Sequence, residues 1–401
     1  MTNEREQRGL AIAATCKLTK RSDFWLVPSQ STRDQYIVRR PCTDNPHCTC
    51  PDHETRGIKC KHVFAVEITI RREQHTDGSV TTTVVRKTYA QNWTAYNAAQ
   101  TNEKDHFQRL LHDLCSGIEE PERTGRGRRP IPLRDSLFAA VFKVYSTQSG
   151  RRFMSDLRES ERRGYVSQSP CYNSVFNILE SKATTKLLHR LILESALPLK
   201  SLESQFACDS SGFGSSRFDR WYDHKWGGEK FMRAWVKCHL MCGVKTNVVT
   251  AVEIKGPSAN DCPLLPKLLN KTAKKFDVQE VSADMGYLSK ENFEAIRRVG
   301  ADAYIPFKSN TTGARGGLFK KMFHLFQLNQ EEYMKHYHVR SNVESTFAMI
   351  KAKFGDSVRS RTDTAMMNEV MAKVVCHNIC CVIQSWYELG IEPTFCCGQA
   401  I

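Results

Sequence analysis

Between Phe206 and Phe354 the chain carries strand and helix signals in one fixed order, and that order constrains the fold more than any other feature. Phe206-Ala-Cys-Asp209 is a short apolar run closing on a carboxylate, followed by the flexible Ser210-Ser-Gly-Phe-Gly. Alternation over Trp235–Met241 and again over Val248–Ile254, joined by Gly243-Val-Lys-Thr-Asn, predicts a strand hairpin. Leu264, Leu265, Leu268 and Leu269 recur at helical spacing, with Asn260 and Asp261 ahead of them as N-cap candidates. Val278–Asp284 is a second apolar run closing on a carboxylate. A helix around Phe293, Ile296 and Val299 and a strand over Ala303–Phe307 precede the last helix. Strand, hairpin, helix, strand, helix, strand, helix predicts an α/β domain over 201–356.

The last helix is expected to run from Tyr337 through Lys351 to Phe354 without interruption. At about 100° per residue, Tyr337, Arg340, Glu344 and Lys351 fall within an arc of roughly 60°, and Val339, Val343, Phe347, Ile350 and Phe354 within another of about 80°. One face is therefore core-facing and the neighbouring stripe is polar, with a carboxylate flanked by cations and a phenol. On spacing alone the stripe also suits a solvated face with Arg340 and Glu344 paired at i,i+4.

Tyr-x2-Arg-x3-Glu-x6-Lys resembles the signature of the DDE transposases of bacterial and archaeal insertion sequences, and Asp284-x-Gly-Tyr287 resembles the second motif of that group. The resemblance spans roughly residues 126–385. It implies an RNase H-like fold with a mixed five-stranded sheet and flanking helices. Asp209, Asp284 and Glu344 would be its catalytic triad, holding a pair of magnesium or manganese ions about 4 Å apart for in-line phosphoryl transfer. Tyr337, Arg340 and Lys351 would then contact DNA phosphates, with Asp219 and Asp223 as less favoured metal ligands. Some relatives insert a large β-domain before the Glu helix. Ser309–Asn329 is too short for that, and its Gly313, Arg315, Gly316, Gly317, Lys320 and Lys321 suggest a mobile basic loop over DNA.

A length of 401 residues predicts two or three domains. The net charge of +15 favours a polyanionic partner, nucleic acid before a membrane surface. No run of eighteen apolar residues and no hydrophobic signal core at the N-terminus predict a chain that works inside the cell and off the membrane. That means cytoplasm or nucleoid in a prokaryote, the nucleus in a eukaryote. The sixteen cysteines are scattered rather than framed, which suggests thiols and metal rather than disulfides.

Residues 1–70 begin with two short strands, Phe24–Pro28 and Gln35–Arg39, expected to form a hairpin. Cys48, Cys50, Cys60 and His62 follow at C-x-C-x9-C-x-H, with Cys42, His47 and His53 as possible substitutes. Two close ligand pairs from separate segments suit a structural zinc ion with no open position. The spacing resembles the SWIM zinc finger. The basic Arg39, Arg40, Lys59 and Lys61 crowd it.

Residues 71–125 show a β-branched strand at Val80, a helix with Phe107, Leu110, Leu111 and Leu114, and a linker from Ser116 to Pro132. Within the linker Arg126, Arg128 and Arg129 resemble an AT-hook arm that lies in a minor groove, though a plain basic linker has the same composition. Between Arg123 and Arg163 eleven basic residues meet four acidic ones, which makes 126–200 the best candidate for a helical DNA-binding region. Its helices are expected around Leu137 and Val141, around Val175 and Leu179, and around Leu188 and Leu191. In 357–401 a helical pattern over Val370, Val374, Val375, Ile379 and Val382 is expected behind the sheet, with Cys376, Cys380 and Cys381 as core thiols rather than a metal set with His377. The resemblance implies an enzyme that cleaves and joins double-stranded DNA at terminal inverted repeats and in target DNA, as a homodimer on DNA. A domesticated DNA-binding regulator and an RNase H-like nuclease are the alternatives.

Overall fold

The structure is a computed structural model that describes residues 4–16, 18–29, 35–74, 80–84, 92–122, 130–215, 235–313, 316–393 and 395. The chain parts into two units, Met1–Gln91 and Asn92–Ile401.

In the first unit, α1 (Glu4–Thr15) precedes a four-stranded antiparallel sheet ordered β1 (Thr19–Lys20), β2 (Trp25–Pro28), β3 (Gln35–Arg39) and β4 (His47–Cys48). Alternation turns Trp25 and Val27 inward on β2, where Val38 of β3 meets them. The short α2 (Pro51–Arg56) ends on Gly57, whose φ of 65° favours glycine. The next helix, α3 (Lys61–Thr69), buries His62, Val63, Ala65 and Val66 and packs on α1. The approach is close at Gly9, where a Cβ would lie 2.5 Å from that of Phe64. A hairpin of β5 (Ile70–Gln74) and β6 (Val80–Val84) follows.

The second unit opens with six helices: α4 (Trp93–Thr101), α5 (Glu103–Ser116), α6 (Leu133–Ser146), α7 (Gly150–Arg162), α8 (Tyr172–Glu180) and α9 (Lys182–Ala196). A five-stranded mixed sheet follows, built from β7 (Gln205–Gly214), β8 (Trp235–Gly243), β9 (Val249–Lys255), β10 (Glu280–Ala283) and β11 (Asp302–Tyr304). Their order is β11-β10-β7-β8-β9; the first three are parallel and the last two antiparallel. The other helices are α10 (Leu265–Ala273), α11 (Lys290–Arg298), α12 (Gly317–Leu328), α13 (Gln330–His338), α14 (Ser341–Phe354) and α15 (Asp363–Leu389).

The 27-residue α15 is the spine of this unit. It is long and apolar enough to cross a membrane by length and composition, yet most of its apolar stretch is buried inside the protein. It packs on α4, α5, α6, α8 and α9 and on the sheet, so helices and sheet share one core. Polar anchors fix its position. Asn378 accepts from the Val249 amide (2.8 Å) and donates to the Val249 carbonyl (2.7 Å), which satisfies the free side of edge strand β9. Asn368 donates to the carbonyls of Leu179 and Ser181. Cys376 and Cys381 are core thiols, as expected of a helical apolar face.

Ser309–Asn329 departs from expectation. Instead of a loop it holds α12, because Phe319, Phe323 and Phe326 recur at helical spacing and pack on Phe307 at ring distances of 5.3–5.5 Å. Arg315 lies outside the described residues.

Candidate active site and metal centre

Strand register brings the two aspartates together. The parallel pairing of β7 with β10 runs to Cys208 opposite Ala283, and Asp209 and Asp284 are the next residues on each strand. Asp209 does not close its strand as expected. β8 keeps pairing with β7 as far as Gly214, so Asp209 sits mid-strand at the point where only the β10 side opens. Side chains alternate along β7, so Asp209 shares a face with Ser211 and Phe213. Lys351 of α14 lies over that face, with its Nζ 2.6 Å from Ser211 Oγ and 5.2 Å from the Phe213 ring.

The helix expected from Tyr337 to Phe354 is two helices, α13 ending at His338 and α14 starting at Ser341. Between them i→i+3 hydrogen bonds tighten the chain at Arg340, Asn342 and Val343. The two halves obey different anchors. Tyr333 of α13 is buried against β11, its hydroxyl accepting from the Ile305 amide (2.9 Å), whereas Val343, Phe347 and Ile350 of α14 face the middle of the sheet. The break aims Arg340 inward. Its Nη1 donates to Asp209 Oδ2 (2.6 Å), its Nη2 to Glu344 Oε1 (2.5 Å), and its Nε to the Tyr337 hydroxyl (3.1 Å). One guanidinium thus joins residues from β7, α13 and α14.

Burial raises the Asp209 carboxyl above its ordinary range. The charges of Asp284 and Glu344 add to this, and the Ser210 amide and Arg340 oppose it. Burial likewise raises Tyr337 and lowers Lys351. Asp209 thus feels the charges of both other carboxylates, and carboxylate oxygens are hard donors of the type that suits a divalent cation, but among the described residues these three do not bring their oxygens within the 4.8 Å of one another that the Cys48, Cys50, Cys60 and His62 set reaches. A cation already bridges two of them, Asp209 and Glu344, as Arg340.

Sequence reasoning missed a second cluster on the opposite face. His239 is fully buried; its Nδ1 lies 3.3 Å from the Tyr287 hydroxyl and 3.5 Å from Asp261 Oδ1. Asp261 makes no capping bond; it pairs with Lys237 instead. Its other oxygen lies 3.6 Å from where a Cβ on Gly286 would be. The cluster underlies the turn that carries Asp284, and burial holds His239 below its ordinary range. The readable signal was Lys237 and His239 at alternate positions of an otherwise apolar strand. Arg126, Arg128, Arg129, Asp219 and Asp223 lie outside the described residues.

In the first unit Cys48, Cys50, Cys60 and His62 are all buried, and their ligand atoms lie within 4.8 Å of one another. His62 Nδ1 is 3.9 Å from the sulfurs of both Cys48 and Cys60. Tetrahedral coordination at a metal–sulfur distance of 2.3 Å requires ligand separations of about 3.8 Å, so the set could hold a metal ion. The Cys48 thiol donates to Cys60, which lowers the Cys60 thiol and raises that of Cys48.

Residues 200–379 match the family model described as Transposase DDE domain. No curated protein matches the chain. The match takes in the five-stranded sheet, the Arg340–Glu344 segment and the first part of α15. The protein is accordingly an enzyme of the DDE transposase type, acting on DNA.

Proposed function

We propose that the chain binds the ends of its own mobile element and performs divalent-metal-dependent strand cleavage and transfer. Asp209, Asp284 and Glu344 would hold magnesium or manganese. Bound there, the ions supply activation of a water or 3′-hydroxyl and stabilise the leaving 3′-oxygen. The observation that carries this reading is the Arg340 guanidinium linking Asp209 to Glu344 beside Asp284. A side chain that neutralises these carboxylates in the free protein is released when ions replace it, and its charge is then available to a DNA phosphate. Tyr337 orients it, and Lys351 supplies a second phosphate contact along the same face. The mixed five-stranded sheet is consistent with an RNase H-like core.

The DNA would be duplex, comprising terminal inverted repeats and target, held by the helical region 126–200 and the arm at Arg126, Arg128 and Arg129. A homodimer would hold two ends at once. In the first unit Cys48, Cys50, Cys60 and His62 would take a structural zinc ion in a SWIM-like module.

The test is strand cleavage and joining of duplexes carrying the sequences that flank the gene, with Asp209→Asn, Asp284→Asn and Glu344→Gln. Each variant should bind the ends and lose both products. Retained joining in all three would overturn the reading. Cleavage without joining in the unmodified protein would leave a nuclease.

A further inference from the structure

A cavity of about 400 Å³ lies among α6, α7, α8 and the segment before α15, away from the three carboxylates. Its volume is within the roughly 300–1,000 Å³ of small-ligand pockets. Lys143 of α6 lines it at 8% exposure, and among the described residues its ammonium has neither a hydrogen bond nor an ion pair. A buried ammonium left in that state is costly.

Glu369 attracts it at longer range without a direct contact, and Arg359 opposes that attraction. Glu369 spends both oxygens on the Arg359 amide (3.0 Å), the Ser360 amide (2.8 Å) and the Ser360 hydroxyl (2.7 Å), so it holds the loop in place. Glu180 lines the cavity from an exposed position on α8. Arg359 and Arg361 line it as well and add two further cations.

Three independent features converge on an anion here. Besides the unpaired Lys143 and the two arginines, the cavity reaches Ser149 and Gly150 at the start of the 13-residue α7. Ser149 makes no side-chain cap, so the amides of the first turn have no acceptor among the described residues, and the helix end favours negative charge. The remaining wall is apolar: Val144, Phe176, Leu179 and Ala365. The Phe176 ring is 41% exposed and is backed by Gly150, where a Cβ would come within 2.6 Å of it. An anion seat beside a braced aromatic ring is the chemistry that holds a phosphate and its base.

The segment between α14 and α15 links this cavity to the catalytic face. Lys351 and Lys373 lie over the same Phe213 ring, at 5.2 and 5.5 Å. Lys373 donates to the carbonyls of Gly355 and Ser357, and the Val358 amide to that of Gly214 at the end of β7. The chain then reaches the cavity at Arg359.

We propose that this cavity is a second nucleic-acid site, which seats one phosphate of a DNA strand leaving the catalytic face and stacks that nucleotide's unpaired base on Phe176. The proposal rests on the DNA-acting reading and adds the site and the unstacked state of the nucleotide.

The experiment is fluorescence anisotropy of the full chain with a 20-nucleotide single strand of arbitrary sequence in EDTA, over a range of salt concentrations. The variants are Lys143→Met, Arg361→Gln and Phe176→Ala, each checked for an intact melting transition. Lys143→Met and Arg361→Gln should each weaken binding about tenfold and flatten the log–log salt dependence by about 0.7. Phe176→Ala should weaken it at least about fivefold with the slope unchanged. Arg361 is exposed, so its variant stands if Lys143→Met fails to fold. Unchanged affinity and slope in Arg361→Gln and Phe176→Ala overturn the proposal. Tighter binding of dAMP than of the oligonucleotide, abolished by Arg361→Gln, would make this a free-nucleotide site and overturn the strand assignment. Cleavage is not measured, so a negative result leaves the transposase reading standing, and the carboxylate variants test that reading alone.

Discussion

Replacing Arg340 with Gln should separate metal binding from turnover. Arg340 donates at 2.6 Å to Asp209 and at 2.5 Å to Glu344, and the two side chains of the first pair are 16% and 20% exposed. A hydrogen bond between charged groups at such a half-buried position contributes about 1.5–3 kcal/mol. Glu344, at 59% exposure, adds between about 0 and 1 kcal/mol. Discounted for solvent screening, the guanidinium stabilises the metal-free site by about 2 kcal/mol. A divalent ion that must displace it binds more weakly by that amount, which is about 30-fold at 1.4 kcal/mol per decade. Arg340→Gln should therefore melt earlier than the unmodified protein in EDTA. It should bind Mn2+ about 10- to 30-fold more tightly by titration calorimetry, and it should cleave DNA more slowly because the phosphate contact proposed for Arg340 would be lost. Unchanged or weaker Mn2+ binding in a folded variant would refute the reasoning, since Arg340 would then not be competing for the carboxylates.

Tyr333→Phe should cost about 1–3 kcal/mol, because the buried Ile305 amide loses its acceptor; an unaltered urea midpoint would count against the anchor assigned to α13. Chelation, or Cys60→Ser, should unfold the first unit while a protease-resistant fragment beginning near Asn92 survives, and resistance of residues 35–74 to proteolysis under chelation would exclude a structural metal. Burial pushes His377 down to about 4 while its Nε2 meets the Asn247 carbonyl at 2.9 Å. The neutral form is native, so its stabilisation is complete above the unfolded value near 6.5 and is lost as pH falls to about 4, a change of roughly 3 kcal/mol. His377→Gln should flatten the pH dependence of the second unit's urea midpoint in that window, and an identical slope would place the acid sensitivity elsewhere.

Much of the fold was legible because it follows from local periodicity. The β2–β3 hairpin, the strand hairpin ahead of α10, the apolar runs before Asp209 and Asp284 and the buried stripe of α14 all show as period 2 or period 3.6 in neighbouring residues. Several elements escaped, among them α1, α3 and α4, and α7 and α12 show why. In α7, Phe153 and Leu157 are the buried apolar residues of an otherwise largely polar and charged helix. In α12, the glycines and lysines at its start suggested a loop, while three phenylalanines set the outcome.

The candidate site divides along the same line. That Tyr337, Arg340 and Glu344 lie on one side of the chain could be read from their spacing, as could the Cys48, Cys50, Cys60 and His62 set. By itself the sequence determined which side chains were available and which face of each element was apolar. Only the tertiary structure decided that the helix breaks at Val339 and Arg340 and that Asp209 stays within its strand. It alone also decided that Arg340 reaches a carboxylate 131 residues earlier and that Lys143 faces a cavity with no hydrogen bond or ion pair to its ammonium among the described residues. Those outcomes depend on strand register and on competing anchors for adjacent helices, and both are set by packing energies between segments distant in the chain, which no local pattern encodes.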